Sequence, residues 1–213
     1  MACALAALVG AAAAAADDPT VRITRADQAK ATAALLALSD FGVGWSGGSH
    51  KPSKLTAPHC PGFDPKESDL TVTGHAEARF SYPKQFIQLS QDNQVLESEK
   101  AVRTDFARVI GPKLKDCLAY QLKKSGMGRV LSVDVRELSF PKMGTVSAAY
   151  RGTMVLRIGG HNVRFVSDFV FIGVGRLEYS LNVVAPAVLG GELVSFEQSL
   201  AQKLVAKAGP SVA

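Results

Sequence analysis

The chain has 213 residues, of which 47% are hydrophobic and 20% charged, and its formal net charge is +5. This composition excludes a wholly disordered chain, a collagen-like repeat and a disulfide-dense mini-protein. The length suits one mid-sized domain, and the mild basic surplus does not indicate a nucleic-acid partner.

The first 16 residues read MACALAALVGAAAAAA and are followed by Asp17, Asp18 and Pro19. An apolar run that ends in small residues before acidic ones is typical of a secretory signal peptide with an A-x-A cleavage site. The alternative is a buried N-terminal helix. We therefore expect residues 1–16 to be a signal peptide and residues 17–213 to be a single secreted, extracytoplasmic domain with its core over about 24–208. The mature chain contains no apolar stretch of the roughly 18 residues that a membrane span requires.

The number of cysteines is consistent with a secreted, extracytoplasmic protein. Cys3 falls in the predicted signal, which leaves Cys60 and Cys117 as an even pair. In an oxidising compartment such a pair predicts a disulfide, worth roughly 4 kcal/mol in the chain-entropy model. A metal site would need more ligands at short spacing than two distant cysteines provide.

Hydrophobic periodicity, helix caps and turn residues divide the rest of the chain into alternating elements. The pattern predicts a helix over 25–39, a long loop over 42–65, strands over 77–82 and 86–96, two helices or one kinked helix over 99–125, strands over 129–140, 145–158, 162–174 and 176–185, and a helix over 192–207.

This order predicts an α+β fold with a twisted antiparallel sheet of about five to six strands and helices packed on it. The strand over 162–174 is apolar on both faces in part, which requires cover on both sides of the sheet.

Few residues form a motif that carries chemistry. Residues 44–48 match the nucleophile pattern G-x-S-x-G with Ser46, but this pattern has meaning only between a strand and a helix. Here a helix precedes it and a proline-containing loop follows. A hydrolase that uses Ser46 with a distant histidine is therefore an alternative and not the favoured function.

The four histidines, His50, His59, His75 and His161, are predicted to lie in three loops and a turn. No two of them have the spacing of metal ligands, so we predict no metal site. Gly173-Val174-Gly175 lacks the third glycine of a dinucleotide-binding loop, and we predict no cofactor and no catalytic residue.

Two groups of side chains are candidates for binding. The aromatic candidates for lining a ligand cleft are Trp45, Tyr150, Phe165, Phe169 and Tyr179, and core packing is the alternative role for each.

The second group is basic. A two-residue turn at Gly160-His161 would set Arg157 opposite Arg164, an unfavourable pairing of like charges unless an anion or acidic partner binds there together with Arg151. The alternative is a solvated sheet rim.

Several short segments resemble a known family of small secreted bacterial domains: Phe41 to Trp45, Cys60 to Phe63, Asp69 to Gly74 with Glu77, Asp105-Phe106 through Cys117-Leu118, and Phe140 to Gly144 with Ala148. The chain is similar to the extracytoplasmic sensor domains of bacterial Ser/Thr kinases and to secreted lipoproteins with a PsbP-like sandwich, over most of residues 30–205. The resemblance implies a twisted antiparallel sheet under helices, a tethering disulfide and a ligand-sized cleft. It implies no catalytic residue, and this chain would be a stand-alone module without a kinase.

The favoured function is a secreted, non-enzymatic, sensor-like module that binds a small molecule, a lipid or another component of the cell envelope in a cleft beside the sheet. The alternatives are the hydrolase that uses Ser46 and a protein-interaction module that presents the arginine face.

Overall fold

A computed structural model describes residues 17–209, so the predicted signal peptide lies outside the described residues. The helices are α1 (Arg25–Ala33), α2 (Glu99–Val109), α3 (Pro112–Lys123) and α4 (Gly190–Ala208). The strands are β1 (Thr20–Val21), β2 (Ser46–His50), β3 (Thr71–Tyr82), β4 (Ile87–Leu96), β5 (Arg129–Glu137), β6 (Val146–Ile158), β7 (His161–Val174) and β8 (Leu177–Pro186).

All eight strands form one sheet in the order β1-β3-β4-β8-β7-β6-β5, with β2 paired to β3 beside β1. Every pairing is antiparallel except that of β1 with β3. The predicted α+β class is confirmed, but the sheet is mixed and has more strands than the five or six expected.

The predicted and the observed elements differ mainly in the first third of the chain. The predicted helix over 25–39 ends at Ala33 and is followed by a 3-10 turn at Leu38–Asp40. The predicted loop over 42–65 contains β2, whose sequence SGGSH has no apolar alternation. This strand forms because the edge of β3 offers hydrogen-bonding partners, and Gly47 comes so close that a Cβ there would lie 2.1 Å from the carbonyl oxygen of Arg79.

The sheet is covered on both faces. Helices α1 and α4 pack on the first face, and α2 and α3 pack on the second. Strand β7 is apolar on both faces as predicted, with Phe165, Phe169 and Phe171 on the second face and Val166, Val170 and Ile172 on the first.

Residues 51–70, which connect β2 to β3, lie over the second face and are called the covering segment below. The predicted disulfide is confirmed and joins Cys60 of this segment to Cys117 of α3, with 5.3 Å between the Cα atoms. Arg108 of α2 donates to both carboxylate oxygens of Asp69, at 2.9 and 3.0 Å. The covering segment is therefore attached to both helices of the second face.

Among residues 17–209, no helix combines the length and the apolar character that crossing a bilayer would require.

Candidate functional site

A cavity of about 250 Å³ lies on the second face of the sheet, between the covering segment, α2 and strands β4 and β8. Its apolar walls come mainly from Leu70, Leu96, Phe106, Val109, Ile110 and Phe171. The disulfide and the Arg108–Asp69 ion pair hold the covering segment in the position that closes this space. We call it the acidic cleft because four carboxyl groups line it.

Four carboxyl groups line the cleft: Glu67 of the covering segment, Asp92 of β4, Asp105 of α2 and Glu178 of β8. Burial, and then the charge of Asp105, raise the pKa of Glu67 to about 7 against the opposing effect of Arg108. The pKa of Asp105 is raised to about 6 because the effect of burial exceeds the opposing effect of Arg108. The pKa of Glu178 lies well above its usual range because of burial and then the charges of Asp105, Glu67 and Asp92.

Two of these groups are partners of each other. The carboxyl groups of Asp105 and Glu178 share a hydrogen bond that contributes to the raised pKa of Glu178, so Glu178 holds the proton. No other described residue makes a hydrogen bond with Oδ1 of Asp105 or Oε1 of Glu178, and both atoms are buried. The cleft therefore combines apolar walls with a buried carboxyl pair, an arrangement that favours a ligand with an apolar body and a cationic or hydrogen-bond-donating end.

A second polar cluster lies beside the cleft on the same face and consists of His50, His75, Glu77 and Asp92. Nε2 of His75 lies 2.7 Å from Oδ2 of Asp92 and 3.6 Å from Oε1 of Glu77. Nε2 of His50 lies 3.5 Å from Oε2 of Glu77. Glu77 also accepts a hydrogen bond from the backbone N–H of Ser53, at 2.9 Å.

Strand pairing assembles this cluster. His75 and Glu77 alternate on β3, so their side chains point to the same face. Glu77 is directly opposite His50 of β2 on one side and Asp92 of β4 on the other. The structure thus corrects the prediction that His50 and His75 lie in loops. The alternation of His75 and Glu77 was visible in the sequence, but the register that brings His50 and Asp92 to them was not.

The five aromatic candidates do not converge on one cleft. Trp45 lies on the first face, stacked on Phe41 and Phe196, beside a separate cavity of about 190 Å³. Tyr150, Phe165 and Phe169 pack in the clusters of the second face near α3. Tyr179 borders the acidic cleft, but its ring belongs to the core of the first face and is 1% exposed.

The predicted pairing of Arg157 with Arg164 is wrong. Ile158 pairs with His161, so the two turn residues are Gly159 and Gly160, and Asn162 lies opposite Arg157. Both glycines have positive φ, 55° and 85°, which the favoured two-residue hairpin turn requires at both positions. The neighbour directly opposite Arg157 on its other side is Arg129 of β5.

Arg151 is buried in the first face and is not open to an external anion. Its Nε donates to Oδ1 of Asp168 at 2.7 Å, and its second guanidinium nitrogen pairs with the other oxygen of the same carboxylate. Arg157 and Arg164 are exposed, so the interaction surface stays a prediction that rests on these two.

Ser46 lies in β2, and its hydroxyl is 3.0 Å from the hydroxyl of Ser81. The strand is followed by the covering segment rather than by the helix that a nucleophile elbow requires. Among the described residues that line the cavity beside Ser46, none is a histidine. The hydrolase alternative therefore gains no support from the surroundings of this serine.

Comparison with known proteins identifies no relative of this chain. No protein-family model matches the chain, and neither the curated proteins nor the solved structures include a match. The resemblance to secreted sensor domains stays an expectation from the sequence.

Proposed function

We propose that the protein is an extracytoplasmic, non-enzymatic module that binds a small ligand in the acidic cleft. The ligand has an apolar body and a cationic end, such as an alkyl amine. The extracytoplasmic location is supported by the signal-like sequence of residues 1–16 and by the Cys60–Cys117 disulfide, because such bonds persist in oxidising compartments.

The observation that carries this proposal is the buried pair of carboxyl groups, Asp105 and Glu178, which line the apolar cavity and are partners of each other. An ammonium group beside them would donate charge-assisted hydrogen bonds to the pair and favour the ionised form of Glu178. The apolar walls would then bury the rest of the ligand. A volume of about 250 Å³ suits a molecule with few non-hydrogen atoms.

The ligand class can be tested with three compounds of one chain length: hexylamine, hexanol and hexanoate. We expect hexylamine to raise the melting temperature in a dose-dependent way, hexanol to act weakly and hexanoate to have no effect. The reason is that only the amine carries a charge opposite to that of the cleft, while the alkyl chain is the same in all three.

Two variants connect the effect to the cleft. The Asp105→Asn variant should lose the response to hexylamine, whereas Asp116→Asn, which changes an exposed carboxylate on α3, should keep it. Equal responses to all three compounds, or an unchanged response to the amine in Asp105→Asn, would contradict the proposal.

A further inference from the structure

We propose that His50, His75, Glu77 and Asp92 form a binding site for a divalent metal ion of the zinc class. The site uses two imidazoles and two carboxylates from three adjacent strands, and the ligand atoms of His75, Glu77 and Asp92 all lie within 4.8 Å of one another. The inference does not depend on the ligand proposed for the acidic cleft, since it stands on the geometry of this cluster alone.

The ring of His50 presents a nitrogen lone pair to the centre of this cluster. Its Nδ1 lies 2.9 Å from the carbonyl oxygen of Lys51, which can only accept a hydrogen bond, so Nδ1 carries the proton. In the neutral ring, Nε2 then holds a free lone pair. This Nε2 is buried, makes no hydrogen bond with a described residue and lies 3.5 Å from Oε2 of Glu77. A lone pair opposite a carboxylate oxygen is repulsive unless a cation lies between them.

The distances between the donor atoms suit a tetrahedral ion. Zinc binds imidazole nitrogen and carboxylate oxygen at about 2.0–2.2 Å, so neighbouring ligands of a tetrahedral ion lie about 3.4 Å apart. The separations of Glu77 from His50 and from His75, 3.5 and 3.6 Å, match this value. The His75–Asp92 separation of 2.7 Å is that of a hydrogen bond, and metal binding would replace this bond by widening it.

The chemical types of the ligands indicate which metal ions the site prefers. Two imidazoles and two carboxylates suit Zn²⁺ and its first-row neighbours, whereas Ca²⁺ and Mg²⁺ prefer a shell of oxygens. Outer hydrogen bonds orient the ligands in the way that metal sites require. Ser53 N–H donates to Glu77 at 2.9 Å, the amide of Gln94 donates to Asp92 at 3.2 Å, and His50 donates to the Lys51 carbonyl.

The cluster has a protected side and an open side. The side chains of His75 and Glu77 are 7% and 8% exposed, while those of His50 and Asp92 are 30% and 31% exposed. An ion can therefore enter past His50 and Asp92. Once bound, it would join β2 to β3 and β4 and hold the start of the covering segment, which the disulfide and the Arg108–Asp69 pair attach further along.

The test is zinc binding to the full chain after dialysis against a chelator. We expect titration calorimetry at neutral pH to show one Zn²⁺ per chain, and Zn²⁺ to raise the melting temperature where Mg²⁺ does not. With Co²⁺ as the probe, the intense visible absorption of a tetrahedral complex should appear.

Two partly exposed ligands can be changed with little risk to folding. His50→Gln and Asp92→Asn should each weaken zinc binding by more than about tenfold, as even outer-shell changes at metal sites do. His59→Gln and His161→Gln change exposed histidines outside the cluster and should bind zinc as the parent does. Absence of zinc binding by the parent would show that the cluster does not bind this ion, and unchanged binding in both ligand variants would place the ion elsewhere. Either result overturns the proposal.

Discussion

At the scale of single residues, Glu197 of α4 is an acid buried in the core and 0% exposed. Burial, the charge of Asp168 and a hydrogen bond with Asp168 together raise its pKa to about 9, against the opposing effect of Arg151. Glu197 is therefore a neutral acid at physiological pH, beside the buried Arg151–Asp168 pair.

The substitution Glu197→Gln should stabilise the protein. The folded-state pKa lies above the ordinary value of 4.5, so the native chain holds an extra proton and loses stability as the pH rises from 4.5 towards 9. Glutamine keeps the neutral shape without this penalty, which predicts a gain on the order of 2 kcal/mol at pH 7 and less at pH 5.

Urea denaturation at both pH values measures this gain. Glu192→Gln, an exposed position on the same helix, is the matched control and should change little. A gain for Glu197→Gln that is equal at the two pH values would show that protonation is not its cause.

At the scale of elements, the covering segment has little regular structure and depends on its attachments. It is joined to α3 by the disulfide and to α2 by Arg108, and Leu55 packs against the cluster around Val102. A segment with few regular backbone hydrogen bonds is expected to open locally before the sheet does.

Removing the disulfide with Cys60→Ser and Cys117→Ser together should therefore loosen this element selectively. The two cysteines are 57 positions apart, for which the chain-entropy model gives a loss of roughly 4 kcal/mol. Hydrogen exchange followed by mass spectrometry should show faster exchange over residues 51–70, while α4, on the opposite face, changes only with global stability. Unchanged exchange over the covering segment would mean that Arg108 and the apolar contacts hold it without the disulfide.

At the scale of the whole molecule, two sets of carboxyl groups oppose each other in the dependence of stability on pH. Contact with Arg108 lowers the pKa of Asp69. Burial acts to raise the pKa of Asp40, but a hydrogen bond from the backbone N–H of Ala37 and the contacts with Lys207 and Lys203 make the net shift downward. These groups stabilise the fold above their unfolded pKa values and lose that effect as the pH falls. Glu67 and Glu197, with pKa values raised to about 7 and about 9, act in the opposite direction.

The balance between these two sets of carboxyl groups predicts a melting temperature that is highest at about pH 5. The melting temperature should decline towards pH 8, because more of the buried acids ionise as the pH rises. Scanning calorimetry across this range, with a chelator present so that metal binding does not contribute, measures it. The double variant Glu67→Gln with Glu197→Gln should flatten the decline. A melting temperature that rises between pH 5 and pH 8 would contradict this assignment of the buried acids.

Local sequence determined most of the helices and strands. The break between α2 and α3 follows from Pro112, and the alternation in β6 and β7 is strong enough to define them without a partner. Strand β2 escaped prediction since Ser46-Gly47-Gly48 has no strand propensity, and its pairing with β3 supplies the stabilisation instead. The hairpin at Gly159-Gly160 shows how a turn shifted by one residue reassigns every cross-strand pair.

Composition and local periodicity are enough to predict the α+β class, the cysteine pair and the apolar character of both faces of β7. Which polar groups meet depends on how the chain folds in three dimensions. Glu67, Asp105 and Glu178 come from a loop, a helix and a strand, and the histidine cluster needs the register of three strands. Such contacts arise from chain reversals between distant segments, and no pattern within one segment encodes them.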